Sequence, residues 1–252
     1  MILEPREKPE PLFTDEHEAF REAFVKFIEK ELKPNHEQWE EQGMVPHEMW
    51  ERAGEFGFVC PWVPEEYGGS GGDFLYSVVV MEELARHRIT GMMLPLHNDV
   101  VVPYIYAYGN EEQRQKWLPG LADGSLVSAI AMTEPDTGSD LKAIRTTAIA
   151  DGDVAKTNPK AKVAEQGISL IVVDKESPGF SKGKKLKKIG LHAQDTSELY
   201  FEDCRVPKEN LLGRSGRGFL YLMQQLQPER LTVAIGAAVA AETALNDTLR
   251  YV

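Results

Sequence analysis

The chain is short of cysteine, of basic charge and of long apolar runs. Among its 252 residues only Cys60 and Cys204 are cysteines. That is too few for a disulfide framework or a zinc cluster, so a reducing compartment is expected. Lysine and arginine number 28 against 40 acidic residues, a net charge of −12. Such a negative field excludes a general polyanion binder such as a nucleic-acid protein, although not a local anion site. The longest bland apolar stretch, Thr232 to Ala241, lies between Arg230 and Glu242 and is far too short to span a bilayer. The opening residues are too acidic and too rich in proline for a secretory signal or an arginine-rich transit peptide. With 42% hydrophobic and 27% charged residues, the rest is ordinary for a globular chain that buries a real core. The expectation is a soluble, intracellular protein of one large or two modest domains.

Metal and nucleotide motifs are scarce as well. The six histidines, His17, His36, His47, His87, His97 and His192, form no pair at helical or zinc-ligand spacing and read as structural or surface residues. No Gly-x-Ser-x-Gly elbow, Walker loop or strand-led GxGxxG is present. The glycines of Gly68 to Gly72 lie outside any strand-to-helix turn and read as a flexible loop.

Periodicity divides the chain. Thr14 is a good N-cap, and Phe20, Phe24, Phe27, Ile28 and Leu32 follow at spacings of three and four, one apolar helical face. Lys33 and Pro34 are expected to end that helix. Further helices are expected from Pro46 to Phe56, from Phe74 to Ala85 and from Asp99 to Tyr108. Another opens on an Asn110–Gln113 capping box. From Ser125 to Val206 the pattern turns to strands. Val127, Ala129 and Ala131 alternate, residues 168–173 (ISLIVV) are rich in β-branched residues, and Leu199, Phe201, Cys204 and Val206 read as a half-buried strand. Helix returns after Gly218, with Pro228 at the first position of a final helix whose face shows Leu231, Ile235, Ala238, Leu245 and Leu249. The order is helices, strands, helix: an α+β protein, divided as 1–124, 125–212 and 213–252.

Three features invite chemistry. The segment from Ile130 to Asp140 runs a strand into a turn of small hydroxyl residues, which can hold a phosphate or the polar edge of a planar cofactor. On physics alone a plain hydroxyl-capped β-turn is the favoured reading. Glu229, in the expected first turn of the last helix, either complements the helix dipole or serves as a general base. Lys182, Lys184, Lys185, Lys187 and Lys188 form a basic run that reads as a solvated face, with a polyphosphate-bearing ligand as the sharper alternative.

Four segments in register resemble the acyl-CoA dehydrogenase family along essentially the whole chain: residues 64–71 (PEEYGGSG), 131–140 (AMTEPDTGSD), 188–196 (KIGLHAQDT) and 199–207 (LYFEDCRVP). Residues 97–103 (HNDVVVP) and 227–231 (QPERL) are most similar to the long-chain branch. The resemblance implies an N-terminal helical domain, a middle β-barrel-like domain and the start of a C-terminal helical bundle. It also implies FAD as cofactor, an acyl-CoA thioester as substrate, electron-transferring flavoprotein as acceptor, and a homotetramer or homodimer. Ile130, Ala131, Met132, Thr133, Glu134, Pro135, Asp136, Thr137, Gly138 and Ser139 would line the flavin, with Ser139 also facing the CoA portion. Lys156 and Thr157 match one substrate-contacting stretch; Gln227, Pro228, Glu229 and Arg230 match a second. Relatives place a substrate-contacting tyrosine at the position of Leu220, whereas here the tyrosine is Tyr221. Glu229 matches the position of the base in the long-chain and isovaleryl branches. It would take the α-proton while the β-hydrogen leaves as hydride, giving a trans-2-enoyl-CoA from a medium-to-long acyl chain.

The family's flavin-contacting strand would fall between Asp153 and Val154 and is not in the sequence. A true deletion there implies poor flavin retention. An inactive apo fragment, or a related acyl-CoA oxidase or other flavoprotein, are the alternative readings. The bacterial cytoplasm is the expected location, with the mitochondrial matrix as the alternative.

Overall fold

The computed structural model describes residues 11–149 and 167–252. The join at Asp153 and Val154 and the candidate residues Lys156 and Thr157 lie outside the described residues. Helix α1 (Asp15–Phe27) opens on Thr14, whose side chain and that of His17 cap each other's backbone N–H groups. Its face, Phe24 and Phe27 with Ile28 beyond, is buried against Phe58. The helix does not end at Pro34. A π turn over Ile28–Leu32 carries it into α2 (Lys33–Gln42), with the Lys33 N–H reaching the Ile28 carbonyl. Pro34 therefore sits in a first turn, where its missing N–H costs nothing.

Helix α3 (His47–Glu55) follows Pro46, and α4 (Phe74–Arg86) is capped by the Asp73 carboxylate. Between them the glycine segment is a packed turn, not a flexible loop. The Gly69, Gly71 and Gly72 N–H groups donate to the Pro64, Val63 and Pro61 carbonyls at 3.2, 2.9 and 2.9 Å. A Cβ on Gly69 would stand 2.0 Å from the Val63 carbonyl oxygen. Helix α5 (Val102–Tyr108) is entered through a second π turn, Leu96–Val101, three residues before the expected start at Asp99. The expected capping box of Asn110 and Gln113 opens α6 (Glu111–Ala122).

The middle segment holds fewer strands than its composition predicts. Among the described residues there are two two-stranded antiparallel sheets. One pairs β1 (Leu170–Ile171) with β4 (Leu211–Leu212), the other β2 (Phe180–Lys185) with β3 (Ser197–Phe201). Strand β3 stops short of Cys204 because Asp203 takes φ +48°, a left-handed conformation that no strand continues. Residues 126–131, expected as a strand, are extended without a ladder. They are tied to helices instead, the Leu126 N–H to the Gly120 carbonyl at 2.8 Å and the Ser128 N–H to His97 at 3.1 Å.

Helix α7 (Gly218–Tyr251) runs 34 residues straight through Pro228, which corrects the expected helix start. It packs on α4, on the second π turn and on α5. Leu222, Thr232 and Val239 are buried there. The predicted apolar face is another one: Leu231, Leu245 and Leu249 are exposed.

Candidate active site

Tyr104 and Tyr108 stand one turn apart on α5 and both reach α7. The Tyr104 hydroxyl donates to Glu229 Oε1 at 2.6 Å. The Tyr108 ring stacks on Tyr221 with centroids 4.0 Å apart, and its hydroxyl donates to Gln224 Oε1 at 3.0 Å. As α5 advances from 104 to 108 its contacts on α7 retreat from 229 to 221, so the two helices run antiparallel. Tyr104 is only 4% exposed. Burial first, and then the Glu229 carboxyl it serves, push its phenol far above the ordinary tyrosine range, so it is a permanent donor.

Glu229 was expected in the first turn of a helix. It stands instead eleven residues past the start of α7, about 16 Å along the axis, where the favourable field of a helix N-terminus has died away. Pro228 removes one helical N–H, and the Thr232 hydroxyl bonds the Pro228 carbonyl at 3.0 Å, so the helix continues. Of the other residues expected to touch substrate, Gln227, Arg230 and Leu220 are exposed. Tyr221 is engaged locally: besides stacking on Tyr108, its hydroxyl accepts the Arg214 N–H at 3.1 Å.

The turn from Ile130 to Ser139 is shaped by two reciprocal backbone bonds of 2.9 Å between Glu134 and Thr137, with Pro135 and Asp136 at its tip. The Glu134 carboxylate anchors it, accepting the Arg145 and Thr146 N–H groups at 2.8 Å each. Burial raises the Glu134 carboxyl, but the Thr146 hydroxyl and these N–H groups outweigh it and hold the group below the usual range. Asp136 pairs with Arg145 at 3.0 Å. Ile130 and Met132 pack on the same core as Tyr104 and Leu222, while Ala131, Thr133, Gly138 and Ser139 are exposed. Among the described residues no hydrogen bond links this turn to Glu229.

Two details bear on a planar, polar-edged cofactor. Thr137 is 2% exposed, yet its buried hydroxyl has no hydrogen-bond partner, a group that ordinarily costs stability unless a ligand uses it. A Cβ on Gly138 would meet nothing within 4 Å, so open space adjoins the turn. The residues present fit such a group.

Of the histidines read as structural or surface residues, His97 is structural. Its imidazole is 1% exposed and bridges the second π turn to the Leu121 carbonyl at 2.9 Å and to Ser128. It thereby fixes the chain leading into the Ile130 turn. The lysine run is largely occupied structurally. Lys185 donates to the Gly43 carbonyl at 3.2 Å, Lys188 to the Leu191 and Gln194 carbonyls, and Lys184 pairs with Glu198 at 3.7 Å. These contacts favour the surface reading over a polyphosphate site. No group of three or more potential metal ligands occurs among the described residues, and none of their helices is long and apolar enough to cross a membrane.

Comparison with known proteins agrees with this architecture. Residues 14–125 match the family model of the acyl-CoA dehydrogenase N-terminal domain. The chain is 43% identical to the pig mitochondrial long-chain specific acyl-CoA dehydrogenase, over 96% of this chain and 61% of the pig protein. The crystal structure of an acyl-CoA dehydrogenase from Geobacillus kaustophilus superposes with a TM-score of 0.92 at 50% identity, covering 96% of this chain and 69% of that one. That of an acyl-CoA dehydrogenase complexed with FAD from Bacillus anthracis superposes with a TM-score of 0.83 at 30% identity, covering 95% and 44%. The fold is therefore that of the acyl-CoA dehydrogenases, in its helical N-terminal part and beyond. The chain belongs to the acyl-CoA dehydrogenase family, and it spans 61% of the length of the curated long-chain relatives it matches.

Proposed function

We propose that this chain forms the substrate-side wall of a flavin-dependent acyl-CoA dehydrogenase acting on medium-to-long acyl chains, with Glu229 as the base. The observation that carries this reading is the carboxylate itself. It is half-buried, far from the helix end and tied through one oxygen to a buried tyrosine. With Oε1 engaged, Oε2 is the oxygen available to take a proton from the carbon beside a thioester. A general base of this kind contributes about 10²–10⁴ in rate.

Bound FAD would supply the acceptor for the β-hydrogen as hydride. The turn from Ile130 to Ser139 would hold it, with the unspent Thr137 hydroxyl and the exposed Thr133 and Ser139 offering polar contacts. Ser139, Lys156, Thr157, Leu220, Tyr221, Gln227, Pro228 and Arg230 are proposed for the substrate. Electron-transferring flavoprotein is the proposed acceptor, a homotetramer or homodimer the proposed assembly, and the bacterial cytoplasm the proposed location, with the mitochondrial matrix as the alternative.

A fragment that does not retain flavin is the second reading. It is favoured by one fact: the alignment with the pig protein runs over 263 positions against 252 residues here, so that protein carries residues without a counterpart. Visible absorbance of the purified protein separates the two readings. In a yellow protein, anaerobic addition of a saturated acyl-CoA should bleach the flavin, and slow rather than fast recolouring in air excludes an oxidase. Glu229→Gln should abolish the bleaching. Bleaching at the unmodified rate in that variant refutes the assignment of the base.

A further inference from the structure

We propose that Tyr104 is the positioning residue of this site, holding the Glu229 carboxylate in one orientation. The inference rests on the reading of Glu229 as the base. The 2.6 Å separation from the Tyr104 hydroxyl to Glu229 Oε1 is in the range of charge-assisted O–H···O⁻ bonds. The donor is well anchored. Tyr104 is buried in the main core, and α5 is pinned to α7 one turn further on by the Tyr108–Tyr221 stack and the bond from Tyr108 to Gln224. A phenol held this far into the core keeps its proton throughout the working range, so it orients and does not relay.

The surrounding ionisable groups are otherwise engaged. On α4, Glu82 and Glu83 bind Arg21, and Arg86 binds Glu83. Beyond α4, His87 meets Glu29 and Glu83, and Arg88 pairs with Asp247 at the far end of α7. Tyr76 of α4 lies against His17. On the second π turn His97 bonds Leu121 and Ser128, and Asp99 is buried near Cys60, whose thiol is raised first by burial and then by Asp99. On α5, Tyr106 packs on Trp62 and Tyr67 while Tyr108 serves Gln224. On α7 itself Arg230 is exposed. Among the described residues Tyr104 is the hydrogen-bond donor to Glu229.

A donor fixed on one carboxylate oxygen sets where the other points, and removing it lets the group turn away from its productive geometry. In the flavin-loaded protein with a saturated C12 acyl-CoA as probe, Tyr104→Phe should therefore slow flavin reduction by about tenfold or more, with KM changed less than twofold. Without substrate, the splitting between the two carboxylate stretching bands of Glu229, assigned by their loss in Glu229→Gln, should change in Tyr104→Phe. Replacing Tyr104 by a fluorinated tyrosine keeps the packing and the donor and should restore most of the rate, which covers a failure of Tyr104→Phe to fold. An unchanged rate and splitting in a folded Tyr104→Phe protein, or a fluorotyrosine protein as slow as Tyr104→Phe, with Glu229→Gln inactive, overturns the role of Tyr104 and leaves the base standing. Undiminished reduction by Glu229→Gln overturns both.

Discussion

The second π turn carries two buried titratable groups whose effects on stability oppose each other. His97 is driven from 6.5 down to about 4 by burial, against the pull of the Leu121 carbonyl. Two residues on, Asp99 is driven from 3.8 up to about 7 by burial. The Ser77 hydroxyl opposes this electrostatically but makes no well-formed bond, and Asp99 Oδ2 is left without a partner. Below pH 6.5 the unfolded chain protonates its histidine while the folded one does not until about pH 4. His97 thus gives stability that is complete above 6.5 and is lost as the pH falls. The unfolded chain ionises its aspartate above 3.8 while the folded one stays neutral to about 7. Asp99 thus gives stability that is greatest at low pH and is lost as the pH rises.

Each slope is about 1.4 kcal/mol per pH unit. Across the shared window, from pH 4 to 6.5, they cancel. Asp99→Asn should unmask the histidine. Its stability relative to wild type should rise with pH by about 4 kcal/mol over the whole Asp99 range. His97→Gln should show the reverse, a relative fall of about 3 kcal/mol from pH 4 to 6.5. Urea unfolding followed by far-ultraviolet circular dichroism at closely spaced pH values reads both. Only the slope of the difference counts, so a packing loss common to every pH drops out. Parallel pH profiles for wild type and Asp99→Asn would refute the reasoning.

Two contrasts extend the test to the turns. Gly69→Ala drives a Cβ to 2.0 Å from the Val63 carbonyl oxygen and should cost about 1–3 kcal/mol, seen as a lower Tm. Gly71→Ala meets only the Glu65 side chain at 4.0 Å, and its φ of +64° should cost about 1 kcal/mol; an equal loss at both sites would contradict the steric argument. Thr137→Val deletes a buried hydroxyl without a partner, so the flavin-free chain should melt no lower than wild type. In the flavin-loaded protein the same change should weaken flavin retention, read as visible absorbance lost on desalting; full retention would remove Thr137 from the proposed flavin site.

Where the structure follows the sequence, local chemistry decides: the Thr14 and Asn110 caps and the Phe24 face. It departs where long-range contacts override local rules. Pro34 and Pro228 read as boundaries because proline lacks a donor. At the first a π turn absorbs the mismatch, and at the second a long helix packed on α4 continues through it. Residues 126–131 alternate like a strand but find helical partners through Gly120 and His97. The Ile130–Ser139 turn was legible as a motif, and Glu229 as a candidate through resemblance. Tyr104 was not, because one of three alternating tyrosines on a short helix carries no sign that its hydroxyl meets a residue 125 positions away.

The displaced helix start changes what holds the proposed base. At a helix N-terminus Glu229 would gain about 0.3–1 kcal/mol from the macrodipole, a field spread over several backbone N–H groups that no single side-chain substitution removes. At its actual place that field is spent within the first turn, whereas a hydrogen bond to a charged group is worth about 1.5–3 kcal/mol. Only the bond fixes which oxygen is engaged and which is free. Pro228 sharpens the effect. It deprives the Gln224 carbonyl of its helical partner one residue before Glu229, on the side where Tyr108 already braces Gln224. Orientation of the base then depends on α5 more than on the helix that carries it, so shifting α5 by trimming Tyr108 should disturb reduction even though Tyr108 never meets the carboxylate.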